Sequence, residues 1–168
     1  MLVLGIDPGT ATTGYGLVRE NPDGSLTVVE YGAILTPAKL PMPERLLELH
    51  KRLNEILLLH KPDTGAVEKL FFQSNVRTAL SVGQARGVAL LALAQAGLEV
   101  AEYTPLQVKS AVAGYGGAGK DQVQYMVRAL LELSQVPTPD DAADALAVAI
   151  CHVHSYRINA LENMDRED

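Results

Sequence analysis

Four acidic side chains in this sequence stand where an ordinary surface role does not explain them. Asp7 closes the apolar run Leu2-Val3-Leu4-Gly5-Ile6, which reads as a buried strand broken by Pro8-Gly9. Glu68 closes a second short apolar run through Ala66-Val67. Asp141 and Asp144 lie three residues apart, a spacing that places both on one helix face. Their neighbours Ala142, Ala143, Ala145, Leu146, Val148 and Ile150 make that helix mostly buried. If the two strands are parallel neighbours, Asp7 and Glu68 emerge at the same edge of a sheet. Buried carboxylates without a basic partner nearby are costly to ionise, and clustering raises that cost. A divalent cation offsets it. Hard oxygen donors, with no cluster of Cys or His, select Mg²⁺ or Mn²⁺. Three or four carboxylates can hold two such ions about 3.5–4 Å apart, the arrangement used in phosphodiester cleavage. Each acid alone also has a plainer reading: Asp7 as a turn residue, and Asp140 or Asp141 as a helix cap. Asp140, beside the preceding loop, is the best fit to a plain cap.

The elements that must position these acids follow from pattern. Three strands open the chain, at Leu2–Asp7, Gly14–Val18 and Leu26–Leu35, and Asn21-Pro22-Asp23-Gly24 supplies a turn between the last two. From Pro43, apolar residues recur at helical spacing (Leu46, Leu49, Leu53, Ile56, Leu57) until Lys61-Pro62 ends the helix. A strand through Ala66-Val67 delivers Glu68. A helix rich in small residues spans Asn75–Ala96, and a strand spans Leu98–Tyr103. Thr104-Pro105 then caps a helix reaching about Ala113. The glycine-rich loop Gly114–Gly119 leads to a helix over Lys120–Leu133, and a last apolar helix spans Asp140–Ser155. The order predicts an α/β fold, a mixed five-stranded sheet with helices on both faces, and functional groups at the carboxyl ends of the strands. Residues 1–158 form one domain, and the polar tail 159–168 is expected to be disordered.

The chain has 168 residues, 48% apolar and 20% charged, which suits a single domain with a real core. Its net charge of −6 argues against a protein that coats nucleic acid indiscriminately. The distribution says more. Residues 69–128 carry six basic and three acidic side chains, and residues 129–168 carry two and eight. A single cysteine, Cys151, excludes an intrachain disulfide and any cysteine-based metal site, consistent with a reducing, cytoplasmic setting. No apolar stretch is long enough to span a bilayer, so no membrane partner is expected.

Within the basic segment, Phe71-Phe72, the only phenylalanines, follow Glu68 in an expected loop, where an aromatic ring can stack on bases while one of the two folds back on the core. Lys120 opens a helix after the glycine loop, where amides and the helix dipole favour an anion, and Lys109 sits mid-helix. Arg77 and Arg86 reach either a phosphate backbone or an ion pair within or between subunits. His152, His154 and Cys151 read as packing or surface residues, and Tyr115 in the glycine loop as either a ligand contact or a residue without a role. The 75–96 helix has more apolar surface than one sheet can cover, which places Ala79, Leu80, Gly83 and Gly87 in an interface between two copies.

Gly5-Ile6-Asp7-Pro8-Gly9-Thr10, Thr13-Gly14-Tyr15-Gly16, Ala66-Val67-Glu68 with Phe71, Gly83-Gln84-Ala85-Arg86-Gly87, Gln107-Val108-Lys109 and Asp141-Ala142-Ala143-Asp144-Ala145-Leu146-Ala147 span nearly the whole chain. In this order and spacing they resemble the RuvC-type Holliday junction resolvases. The resemblance implies an RNase H-like fold and a homodimer on a four-way DNA junction. It also implies paired, symmetric nicking of opposed strands by a two-metal-ion reaction that leaves 5′-phosphate ends. It makes Asp7, Glu68, Asp141 and Asp144 the catalytic, metal-binding acids, with two Mg²⁺ per subunit and Mn²⁺ as substitute. It further implies that Phe71 stacks on unpaired bases, that Lys109 and Lys120 lie near the scissile phosphate, and that the RuvA and RuvB branch-migration complex is a partner to test. Three alternatives stand beside it. A non-catalytic junction-binding module would not require the four acids together. Another RNase H-like nuclease would cut RNA–DNA hybrids. An actin-like kinase needs a second domain and phosphate loop for which 168 residues leave no room.

Overall fold

The structure, a computed structural model, describes residues 1–69 and 76–164, with side chains over 1–69 and 78–158. In chain order the elements are β1 (Leu2–Asp7), β2 (Thr12–Glu20), β3 (Leu26–Leu35), α1 (Met42–His60), β4 (Thr64–Glu68), α2 (Val76–Gln95), β5 (Glu99–Tyr103), α3 (Pro105–Ala113), α4 (Lys120–Leu130) and α5 (Asp140–Met164). They form a five-stranded sheet in the order β3-β2-β1-β4-β5. The β1–β2 and β2–β3 pairs are antiparallel, whereas β1–β4 and β4–β5 are parallel. This is the mixed sheet expected from the element order.

Strand alternation divides the core in two. Leu2, Leu4, Ile6, Leu17 and Val67 point to one side and pack against Leu49, Leu53 and Leu57 of α1 and Ala85, Ala89 and Leu93 of α2. Val3, Val18 and Ala66 point to the other, against Val108 and Val112 of α3, Val127 of α4 and Leu146 and Ile150 of α5. From Asp141 to Val153 every residue of α5 is buried except Asp141 and Asp144, which are half-buried. Its closeness to the sheet has a steric cause. A methyl carbon added to Gly5 would lie 2.2 Å from the Ala145 carbonyl oxygen, and one added to Gly14 would lie 1.8 Å from that of Asp141. In both cases the obstacle is backbone, which has no rotamer to change.

Local signals explain most boundaries. Thr104 and Gln107 form a reciprocal capping box at the start of α3, with Pro105 in its first turn. Helix α4 stops at Leu130, three residues short of the expected Leu133. There Glu132 takes a positive φ of 52°, and the Glu132 and Leu133 amides donate back to the Ala129 and Arg128 carbonyls. Helix α5 continues to Met164, past the expected stop at Ser155 and into the segment predicted to be disordered from 159. Nothing between Ser155 and Met164 breaks a helix: the stretch has no Gly or Pro and includes Ala160, Leu161 and Glu162, good helix formers.

Gly14→Ala places a methyl group against immovable backbone, so its cost is expected at or above the upper end of the about 1–3 kcal/mol typical of overpacking. In a chain of this size that lowers the melting midpoint by about 6–12 °C, measurable by thermal unfolding followed by circular dichroism.

Candidate active site

The alternation that turns Val3 and Gly5 toward α5 turns Asp7 the same way, and Glu68 follows Ala66 onto that face. In the parallel ladder Ile6 stands opposite Val67, so Asp7 and Glu68 leave adjacent strands at one edge. Across the antiparallel ladder Asp7 pairs with Gly14, the residue on which the first turn of α5 rests. Asp141 and Asp144 therefore arrive above Asp7, and acids from β1, β4 and α5 converge.

Their charges are felt mutually. The Asp7 carboxyl is pushed up to about 8, first by burial, then by the charges of Glu68, Asp144 and Asp141 and a hydrogen bond with Glu68. Glu68 is raised by burial and by the Asp144 charge, against the lowering effect of its bond with Asp7 and of the Lys109 charge. Asp144 is raised by burial, opposed by Lys120. Among the described residues no three carboxylate, His or Cys side chains stand as tightly together as the ligands of a single ion. The donor chemistry nevertheless fits a hard divalent cation, because it is all oxygen and its excess negative charge lacks an equal number of cations. His152 and Cys151 are committed elsewhere. The His152 ring bonds the Thr64 and Tyr103 hydroxyls, and burial pushes the Cys151 thiol up to about 11.

A cavity of about 240 Å³ opens beside the acids, lined by Glu68, Pro105, Val108, Lys109, Lys120 and Asp144 among others. A larger one, about 540 Å³, lies between α1 and α2 against Leu57, Leu58 and Leu98 and contains no carboxylate, so size does not mark the chemistry here. Lys109 projects from α3 near enough to Glu68 to lower its pKa. Lys120, first residue of α4, places Nζ 3.1 Å from Asp140 Oδ2 and 3.4 Å from Asp144 Oδ2.

The remaining candidates separate. Phe71 and Phe72 lie outside the described residues. Arg77 falls in the first turn of α2, and its side chain is likewise outside them. Arg86 is ion-paired with Glu102 of β5 across the contact between α2 and the sheet, the internal pairing that the sequence left open, which engages its guanidinium within the subunit. Asp140 is not a plain cap. Its carboxylate receives Gln124 Nε2 and Lys120 Nζ, both from α4. The Tyr115 hydroxyl donates to Gln122, and His154 bonds the Ala111 carbonyl. On α2, Leu80 is 67% and Leu91 52% exposed, and a Cβ on Gly87 would meet nothing within 4 Å, so this face is not covered by the chain's own sheet. Sequence reasoning missed the role of Gly5, Gly14 and Gly16 in letting the helix close on the acids. The signal was present as glycines alternating in two adjacent strands beside an alanine-rich helix.

The family model described as crossover junction endodeoxyribonuclease RuvC matches residues 3–152. A crossover junction endodeoxyribonuclease RuvC of Chloroflexus aurantiacus is 63% identical over 155 residues, 92% of this chain and 94% of its own length. That of Syntrophomonas wolfei is 58% identical over 160 residues, covering 95% and 92%. Among solved structures, Thermus thermophilus RuvC in complex with Holliday junction substrate superposes with a TM-score of 0.86 at 36% identity, covering 94% of this chain and 96% of that one. The yeast mitochondrial Holliday junction resolvase Ydc2 shares the fold, with a TM-score of 0.73 at 14% identity and coverage of 98% and 83%.

The raised Asp7 carboxyl has a consequence for stability. Its folded pKa lies above its unfolded value near 3.8, so the folded state binds the extra proton, and stability falls as pH rises from about 4 to about 8. In EDTA, Asp7→Asn should therefore raise the melting temperature at pH 8 and flatten its pH dependence across that window. A wild-type midpoint that does not decline from pH 5 to 8 relative to the variant would contradict this.

Proposed function

The chain belongs to the RuvC family of crossover junction endodeoxyribonucleases, and from that premise we propose that Asp7, Glu68, Asp141 and Asp144 are its catalytic acids. The protein is an endonuclease that resolves Holliday junctions in recombination and DNA repair. The observation carrying the proposal is the convergence of four half-buried carboxylates, from three elements, at the one sheet edge where two parallel strands end together. These acids would hold two Mg²⁺ per subunit, with Mn²⁺ as substitute, and the ions would supply water activation and stabilisation of the leaving oxygen. Asp7 sits among the other three carboxylates and would give up its proton to hold a cation, so cation affinity is expected to rise with pH.

Lys109 and Lys120 reach the cavity from α3 and α4 and receive the oxygens of the scissile strand, Lys120 with the aid of free amides at the start of α4. Phe71 and Phe72 come three and four residues after Glu68 in sequence, and Phe71 is assigned to stacking on unpaired bases, with Arg77 on the phosphate backbone. Two copies joined through the exposed face of α2, around Ala79, Leu80, Gly83 and Gly87, present two equal sites to opposed strands, giving symmetric nicks with 5′-phosphate ends. RuvA and RuvB are the partners to test. No described helix is long and apolar enough to cross a membrane. On this reading the protein works on DNA in the cytoplasm.

A synthetic mobile four-way junction tests the reading. Wild type should cut it with Mg²⁺ and not in EDTA, while Asp7→Asn should bind it but cut at least about a hundredfold more slowly, since the ions' charge stabilisation is worth several kcal/mol. Binding without cutting by wild type would make this a binding module, and preferential cutting of an RNA–DNA hybrid would make it a different nuclease. Lys109→Ala and Lys120→Ala should each weaken junction binding and reduce the slope of log affinity against log salt by about 1 per site, measured by fluorescence anisotropy.

A further inference from the structure

We propose that Asp140, which is not one of the four candidate acids, is a positioning residue that tethers Lys120 at the rim of the site and draws it away from Asp144. The proposal rests on the reading of Lys120 and Asp144 given above. Lys120 is the first residue of α4, behind Gly119 as cap. A cation there opposes the helix dipole, so its position has to be secured from outside the helix. Two carboxylates compete for it, Asp140 Oδ2 at 3.1 Å and Asp144 Oδ2 at 3.4 Å. They differ in what they face. Asp144 is 34% exposed and lines the cavity, whereas Asp140 is 65% exposed and lies one helical turn earlier. Asp140 is itself held, because Gln124 Nε2 donates to its other oxygen, Oδ1, at 3.1 Å. Gln124 lies one turn beyond Lys120 on α4, so the chain Gln124–Asp140–Lys120 closes between two helices.

The tether matters because Asp144 has two claimants. While the ammonium lies on Asp144, that carboxylate is partly neutralised and less available to a cation. Asp140 offers the ammonium another seat beside the cavity, still within reach of a phosphate. The Lys120 ammonium is held charged chiefly by its bond with Asp140, with Asp144 contributing less.

Asp140→Ala should let Lys120 settle on Asp144. Mg²⁺ binding without DNA, read by calorimetry or by the Mg²⁺-induced rise in melting temperature, should weaken about two- to fivefold, the scale of an exposed ion pair. Half-saturating Mg²⁺ for junction cleavage should rise by the same factor. Asp140→Asn keeps an acceptor oxygen for Lys120 and should restore most of the affinity, although it removes the same charge as Ala. In a Lys120→Met background, Asp140→Ala should have no further effect. If Asn behaves like Ala and the loss persists with Lys120→Met, Asp140 acts through its charge alone and the proposal is overturned. It is also overturned if Asp140→Ala changes nothing while Lys120→Met impairs cleavage. If neither Lys120→Met nor Asp144→Asn alters cleavage or Mg²⁺ affinity, the reading of the site itself has failed, and the tether with it.

Discussion

Where Gly5, Gly14 and Gly16 leave out side chains, α5 comes down onto β1 and β2 until the Asp141 and Ala145 carbonyls occupy the space a methyl group would need. Glycine in a strand costs conformational entropy and gives up packing. The molecule accepts that cost three times on two paired strands, with Gly5 directly opposite Gly16 and Gly14 opposite Asp7. In return α5 buries both flanks between the sheet and helices α3 and α4, using alanines where most core helices use leucines. The closeness also fixes where Asp141 and Asp144 lie, because the backbone of Asp141 and of Ala145, the residues at and just beyond the two acids, is what meets the strands.

That docking has an electrostatic penalty. It brings four carboxylates together at one edge, two of them on a stretch of α5 that is otherwise buried as far as Val153, and pushes the Asp7 carboxyl up to about 8. Lys109 and Lys120 offset part of the charge from the opposite wall of the cavity. The site is therefore a destabilised region held by the packing around it, as expected where function needs an arrangement that folding alone would not select. The net charge of −6 is recast accordingly. Four of the formal negative charges are those of the candidate acids, several more lie in the 159–168 segment, and residues 69–128 remain basic.

What the sequence made legible was local. Apolar runs ending at Asp7 and Glu68, helical spacing in α1, and the Thr104-Pro105 start of α3 each need only neighbouring residues to interpret, and each stands where pattern placed it. The parallel pairing of β1 with β4 is a tertiary fact, and sequence could state it only as a condition on the acids meeting. Asp140 shows the limit most directly. Read among its neighbours it is a cap, but its partners Lys120 and Gln124 come from a helix some twenty residues earlier, and no local rule could supply them. Arg86 fails to resolve from sequence for the same reason, since Glu102 reaches it across the sheet contact. The length of α5 departs from pattern on another ground: the apolar spacing predicts a stop at Ser155, but helix propensity runs unbroken past it to Met164.

The strand order explains why the candidate acids gather at this edge. From β1 the chain moves outward to β2 and β3 on one side, then crosses to β4 and β5 on the other. Between β1 and β4 the direction of winding reverses, and a cavity lined by Glu68, Lys109, Lys120 and Asp144 opens beside the two carboxyl ends. Antiparallel β2 cannot contribute a second carboxyl end there, so its part is to offer Gly14 as the seat for α5. The other face of the sheet carries no such demand. Leu49, Leu53, Leu57 and Leu93 fill it with long side chains that can repack around a substitution. The two layers thus differ in kind. Side-chain packing beneath α1 and α2 can vary while keeping its volume, whereas at Gly5 and Gly14 backbone contact beneath α5 leaves no room for an added atom without moving the acids.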